Sequence, residues 1–345
     1  MYSRHAVPVH QESRYAVSMR RLLLRMSPAL HLTRLTTAFA AVANVWFVVL
    51  WTYASEEEPG TLDFQAAPLW LLLLGSAVNA LGLFGFATAL NDVVDLRRDQ
   101  ATHPERPLPS GRLSLDAAIS LVALTFGAAV LGATPMGMQA VLLTLLVAGA
   151  ILFFNAMGKF VPAIGLVVLG LIYAGQMVVP NLSLKFVLPV WLVMTHALVV
   201  GLAAYAMGRK VPGLSGRAIA FAVSGWAFWS AVIIYYGDKR GGEDGLWPSW
   251  VSPWAAAGPA ALAVLFVLLS WRRAKLLGKG PRAADKISRY GSLWLSLYAC
   301  AWLFGQGYWT EGWILAALAA AGFLGMTVVR EAYALLEQQP MGYRR

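Results

Sequence analysis

NDVVDLRRDQATHPERPLPSGR, residues 91–112, joins two long apolar stretches in a chain that is otherwise poor in charge. It carries four acids, Asp92, Asp95, Asp99 and Glu105, and four arginines, Arg97, Arg98, Arg106 and Arg112. The surroundings decide what such a segment means. Of 345 residues, 59% are hydrophobic and 13% are charged, whereas a soluble domain carries roughly 25% charged residues. Most of the chain therefore faces hydrocarbon. The single cysteine, Cys300, lies in an apolar run, so neither a disulfide framework nor a Cys/His metal cluster is expected. The basic N-terminal stretch is not followed by a short apolar core with a small-residue cleavage site, and no removable signal peptide is expected.

Outward from the quoted segment, ten apolar stretches have about the 17–25 residues a spanning helix needs. They fall near 35–54, 67–90, 115–133, 137–154, 162–180, 187–206, 217–236, 253–271, 290–309 and 312–330. Alternating their connections between two sides puts 24 of the 27 Lys and Arg on one side, the N-terminal one, and leaves Lys185, Lys239 and Arg240 on the other. The positive-inside rule makes the rich side cytoplasmic. Trp51, Trp70, Trp247, Trp250, Trp254, Trp309 and Trp313 fall at boundaries of the poor side, as an interfacial aromatic belt does. The net charge of +10 is thus a topology signal and excludes a nucleic-acid reading. The expected organisation is a basic cytoplasmic arm over 1–30, one all-α membrane domain over 31–331 and a short cytoplasmic tail over 332–345. The implied location is a bacterial inner membrane.

The quoted segment then follows the second span on the cytoplasmic side. Asp92, Asp95 and Asp99 recur at i, i+3 and i+7. If the second helix runs on for two turns, the three carboxylates lie within about 60° on one face. Like charges on one face repel, whereas converging oxygens are what a hard divalent cation requires. Magnesium takes one or two carboxylates and completes its shell with water and phosphate oxygens. Arginines suit phosphate through planar, bidentate contacts. A solvated loop in which acid and base cancel would show the same spacing.

The residue identities go further. NDVVDLRRD followed by ERPLPSGR resembles the first aspartate-rich motif of the UbiA superfamily of membrane prenyltransferases, from Asn91, Asp92, Asp95 and Asp99 to Arg106, Pro107, Leu108, Pro109, Ser110 and Gly111. NAMGKFVP, with Lys159 after the fourth span, is similar to the family's Tyr-x-x-x-Lys segment, with Asn155 where an aromatic is common. The resemblance covers residues 30 to about 235. It implies a UbiA-like bundle of nine or ten transmembrane helices around a central cavity; the family usually has nine. It further implies a Mg-dependent transfer of an isoprenyl group from a prenyl diphosphate to a lipophilic or aromatic acceptor. On this resemblance, Asn91, Asp92, Asp95 and Asp99 hold Mg2+, Arg106, Arg112 and Lys159 contact the diphosphate, and Asp92, Asp95 and Lys159 are the catalytic candidates. Other readings are a non-catalytic lipid or precursor carrier and a membrane terpene cyclase.

One departure stands out. The family's second aspartate-rich motif follows the sixth span, where this chain reads AAYAMGRKVPGLSGR, residues 203–217, without a carboxylate. Arg209 and Lys210 stand there and are candidate diphosphate donors, or else a positive-inside anchor. Asp285, the next acid in a cytoplasmic loop, sits among seven cations and reads as a local ion-pair partner. Three polar residues inside spans complete the candidates: Asn44, Gln176 and His196 either line a polar cavity or bond between helices.

Overall fold

The computed structural model describes residues 38–60, 66–208, 213–277 and 280–337. The basic arm, most of the tail, and Arg209 with Lys210 lie outside the described residues. The described chain is helical: α1 (Phe39–Ala54), α2 (Leu69–Val94), α3 (Leu96–Thr102), α4 (Leu115–Ala133), α5 (Met138–Ala156), α6 (Pro162–Met177), α7 (Leu188–Gly208), α8 (Gly216–Gly241), α9 (Ala257–Leu277), α10 (Pro281–Gln306) and α11 (Trp309–Glu337). Every expected apolar stretch holds a helix. Six helical stretches, which include α2, α4, α5, α7, α8 and α9, are long and apolar enough to cross a membrane, and α1, α6 and Trp309–Gly325 are shorter apolar helices. α10 begins in the charged run PRAADKISR and buries its apolar second half, Leu295, Tyr298, Trp302 and Leu303. This is an integral membrane protein.

Local chemistry sets the helix ends. Ser114 and Ser215 cap α4 and α8 by accepting from Ala117 N and Ala218 N, which satisfies an otherwise orphan donor in each first turn. Proline opens α6 and α10, where its missing N–H costs nothing.

Packing follows a ring. α1, α2, α5, α6, α7 and α10 touch in that order and close back on α1. α4 lies outside against α2, α8 against α6 and α7, α9 against α10, and α11 against α10 and α1. In lipid the helices gain little from hydrophobicity alone, so close approach and interhelical hydrogen bonds must hold them. The α2–α4 seam shows both. A Cβ at Gly82 would lie 2.5 Å from Ala129 N. Across that seam Asn79 Nδ2 donates to Ala129 O at 2.8 Å and to Thr144 Oγ1 of α5 at 2.9 Å.

The end of the bundle away from residues 91–112 is sealed by aromatic rings and one carboxylate. Trp51 packs against Phe47, Phe186, Trp250 and Tyr308. Glu58, 3% exposed, accepts from Lys185 N at 2.8 Å, Phe186 N at 3.2 Å and Trp51 Nε1 at 3.3 Å. Burial pushes its carboxyl above 4.5, and these bonds offset part of the shift. Asn181 ties the same two loops by donating to Thr52 Oγ1 and Pro59 O.

Candidate diphosphate and metal site

The opposite end is polar, and three chain segments build it. The first is the junction of α2 and α3. The expected helical run-on is interrupted at Asp95, with φ −85° and ψ 2°. The hydrogen-bond ladder nevertheless carries through, from Asp95 N to Asn91 O at 2.9 Å and from Asp99 N to Asp95 O at 2.8 Å. Asp92 and Asp99 are buried at 8% and 4% exposure, so neither belongs to a solvated face.

The second segment is the loop after α3. Leu108 is buried among Ala89 and Ala118 and anchors it. Ser110 N bonds back to Arg106 O at 3.0 Å, and Gly111 takes φ 74°, a left-handed conformation that only glycine adopts cheaply. The turn brings Arg106 back over α3, with its guanidinium 2.6 Å from Asp99 Oδ2 and 4.0 Å from Asp92 Oδ1. The sequence reading missed the anchoring role of Leu108. Its signal was an apolar residue between two prolines in a charged loop.

The third segment is the 3-10 turn Gly158–Phe160 between α5 and α6. This turn is tight, since a Cβ at Gly165 would lie 2.7 Å from Gly158 O. It aims Lys159 at the motif, with Nζ 2.8 Å from Asp95 Oδ2 and 3.0 Å from Asn91 Oδ1. Asn91 Nδ2 in turn donates to Asp92 Oδ1 at 3.2 Å. One continuous polar network thus links Asp95, Lys159, Asn91, Asp92, Arg106 and Asp99.

Among the described residues no group of three His, Cys, Asp or Glu side chains stands close enough to hold a metal ion. The carboxylates instead meet cationic nitrogens. Lys159 Nζ lies between the oxygens of Asn91 and Asp95, and the Arg106 guanidinium faces those of Asp99 and Asp92. Each is a focus for positive charge with oxygen-only donors, and magnesium needs one or two carboxylates from the protein. The donor set therefore fits a hard divalent cation.

The other sequence candidates fall elsewhere. Arg112 is exposed and closes its own loop, donating to Glu105 O and, at 3.1 Å, to Ser110 Oγ. Asn44 donates to Tyr173 O at 3.2 Å and ties α1 to α6. His196 bridges α7 to α10. A carbonyl can only accept, so Nε2 donates to Gly291 O at 2.9 Å, which leaves Nδ1 to accept from Tyr298 OH at 3.1 Å. Gln176 is buried near the far end of α6. Arg209 and Lys210 lie outside the described residues, as does the Asp285 side chain.

Comparison with known proteins gives a short sequence match and a structural one that covers most of the chain. No family model matches the chain. A digeranylgeranylglyceryl phosphate synthase of Methanococcus maripaludis is 47% identical over 64 residues, which are 18% of this chain. The match spans 23% of that relative's length. Among solved structures, a digeranylgeranylglyceryl phosphate synthase studied in membranes aligns with a TM-score of 0.52 at 15% identity, over 82% of this chain and 98% of that one. A UbiA homologue from Aeropyrum pernix K1 aligns with a TM-score of 0.49 at 19% identity, over 75% and 94%.

Proposed function

We propose, for a chain with the fold of the UbiA superfamily, a Mg2+-dependent transfer of an isoprenyl group from a prenyl diphosphate to a lipophilic or aromatic acceptor. The observation that carries this reading is the six-residue network of Asn91, Asp92, Asp95, Asp99, Arg106 and Lys159 at one end of an apolar bundle. A purely structural clasp has no need of three carboxylates that repel one another along barely two helical turns.

In this reading Asn91, Asp92, Asp95 and Asp99 are the side chains from which magnesium would draw its one or two protein oxygens, and the metal would supply Lewis-acid neutralisation of the leaving diphosphate. Lys159 and Arg106 donate charge-assisted hydrogen bonds to diphosphate oxygens, and those bonds strengthen as charge develops on the leaving group. Leu108 and the Gly158–Phe160 turn position these two cations beside the motif, within reach of a diphosphate bound there. The surrounding helices take the isoprenyl tail and exclude water from the ionising bond. Arg209 and Lys210 follow directly in sequence on the end of α7 at Gly208. We assign them the residual diphosphate charge that a second aspartate motif would otherwise manage through metal. Arg112, which closes its own loop, would reach the diphosphate only by releasing Glu105 O. The network end is assigned to the cytoplasm from the distribution of Lys and Arg.

The test is direct. The purified protein in detergent is offered magnesium and labelled prenyl diphosphates of several lengths, with a lipophilic acceptor, and diphosphate release is followed. Metal-dependent release with a prenylated product is expected. Release of none, at any chain length, would remove the transferase reading.

A further inference from the structure

We infer that Lys159 and Arg106 are exchangeable counter-cations: they hold the same motif oxygens that a divalent cation would use, so a divalent cation binds weakly alone and tightly only together with a diphosphate. The inference rests on the functional reading above and concerns how the two ligands are coupled.

The geometry carries it. Lys159 Nζ has donors only, and it spends them on Asp95 Oδ2 at 2.8 Å and Asn91 Oδ1 at 3.0 Å. Arg106 meets Asp99 Oδ2 at 2.6 Å and faces Asp92 Oδ1 at 4.0 Å. Each acidic side chain of the motif therefore already faces a positive charge. A bare divalent cation must displace at least one of these nitrogens. The Lys159 side chain is 14% exposed and its partner Asp95 15%, so a displaced ammonium stays in a poorly hydrated place, where an unmatched charge is costly. A diphosphate removes that cost by offering the displaced ammonium and guanidinium new oxygens. Metal and diphosphate then favour one another, and linkage makes the effect reciprocal: each raises the other's affinity by the same factor.

The consequence reverses the usual expectation for a binding-site lysine. If Lys159 and Arg106 only shaped the site, removing them would weaken metal binding or leave it unchanged. If they compete with metal, removing either tightens metal binding in the absence of diphosphate and abolishes most of the coupling.

Mn2+ serves as a spin probe for the full-length protein in detergent, with free Mn2+ read by electron paramagnetic resonance with and without geranyl diphosphate. For the wild type, geranyl diphosphate should tighten Mn2+ binding by at least about tenfold, the size of one charge-assisted hydrogen bond. Lys159→Gln and Arg106→Gln should each bind Mn2+ about tenfold more tightly than wild type without diphosphate, and should gain little when it is added. Two positions are used so that a folding defect in one leaves the other to decide, with thermal melts as the control for intact protein. Unchanged or weaker Mn2+ binding in the well-folded variants would overturn the exchange. Wild type that binds geranyl diphosphate without any tightening of Mn2+ would also overturn it, while leaving the transferase reading standing. Wild type that binds no geranyl diphosphate at any Mn2+ concentration would remove both.

Discussion

Lys159, in the turn between α5 and α6, and Asp95, at the break between α2 and α3, meet with Nζ 2.8 Å from Oδ2. Both side chains are mostly buried, and the contact joins two segments that are distant in sequence. Removing one partner of such a pair leaves an uncompensated charge. Lys159→Met should therefore lower stability by about 3 kcal/mol. Adding Asp95→Asn to it should restore part of the loss, because the orphaned carboxylate is then gone. Thermal unfolding of the two single variants and the double variant in one detergent checks this. Strict additivity would mean that the pair has no coupling.

Metal-dependent binding should separate the motif's carboxylates from an ordinary surface acid. Asp92→Ala and Asp95→Ala should each weaken Mg2+-dependent binding of a prenyl diphosphate by more than about tenfold, one charge-assisted interaction being worth at least that much. Asp116, exposed in the first turn of α4, should leave binding unchanged when replaced by alanine. Equal binding by wild type and both motif variants, with and without EDTA, would show the carboxylates to be structural.

The seam between α2 and α4 predicts opposite outcomes for two glycines. At Gly82 a Cβ would lie 2.5 Å from Ala129 N and 2.7 Å from both Ala129 Cα and Thr125 O. Gly82→Ala should cost about 1–3 kcal/mol through forced separation of the helices. Gly127, on α4 with open space at its Cβ position, should tolerate alanine and gain up to about 1 kcal/mol from helix propensity. Melting temperatures of the two variants provide the comparison.

Glu58 should impose a pH dependence from the far end of the bundle. Its carboxyl is raised above 4.5 by desolvation, against the pull of the Lys185 and Phe186 N–H groups and Trp51. Between 4.5 and the raised value the folded state binds the extra proton. The contribution of Glu58 to stability is thus complete below about 4.5 and is lost as pH rises through the folded value. Stability of wild type relative to Glu58→Gln should fall from pH 4.5 toward neutrality. A difference that rose with pH instead would mean that the carboxylate's hydrogen bonds outweigh its burial.

Topology can be read with single cysteines after replacing Cys300. Glu57→Cys and Arg98→Cys, both at exposed positions, should be labelled by an impermeant reagent from opposite sides of the membrane, with Arg98→Cys protected in intact cells. Labelling of both from one side would undo the assignment of the network to the cytoplasm.

Several features of this protein were already legible in the amino-acid order, because they depend on local periodicity and composition. Each apolar stretch expected to span became a helix, since length and hydropathy are summed along the chain and need no knowledge of neighbours. The placing of Asp92, Asp95 and Asp99 on successive turns was equally local. So was the match of Asn91 to Gly111 to a known motif, from which the UbiA-like bundle was expected. What only the tertiary structure decided is how charges separated in sequence find each other. Arg106 and Arg112 read alike in the loop, yet burial of Leu108 turns the first onto Asp99 while the second is spent on Glu105 O. Asn44 and His196 could be read along the chain as lining a cavity or as bonding between helices, and their hydrogen bonds go to neighbouring helices. Partner choice of this kind depends on the approach of elements set by packing over the whole ring. It also depends on the cost of leaving a buried polar group unpaired, and neither is written in the spacing of residues along one helix.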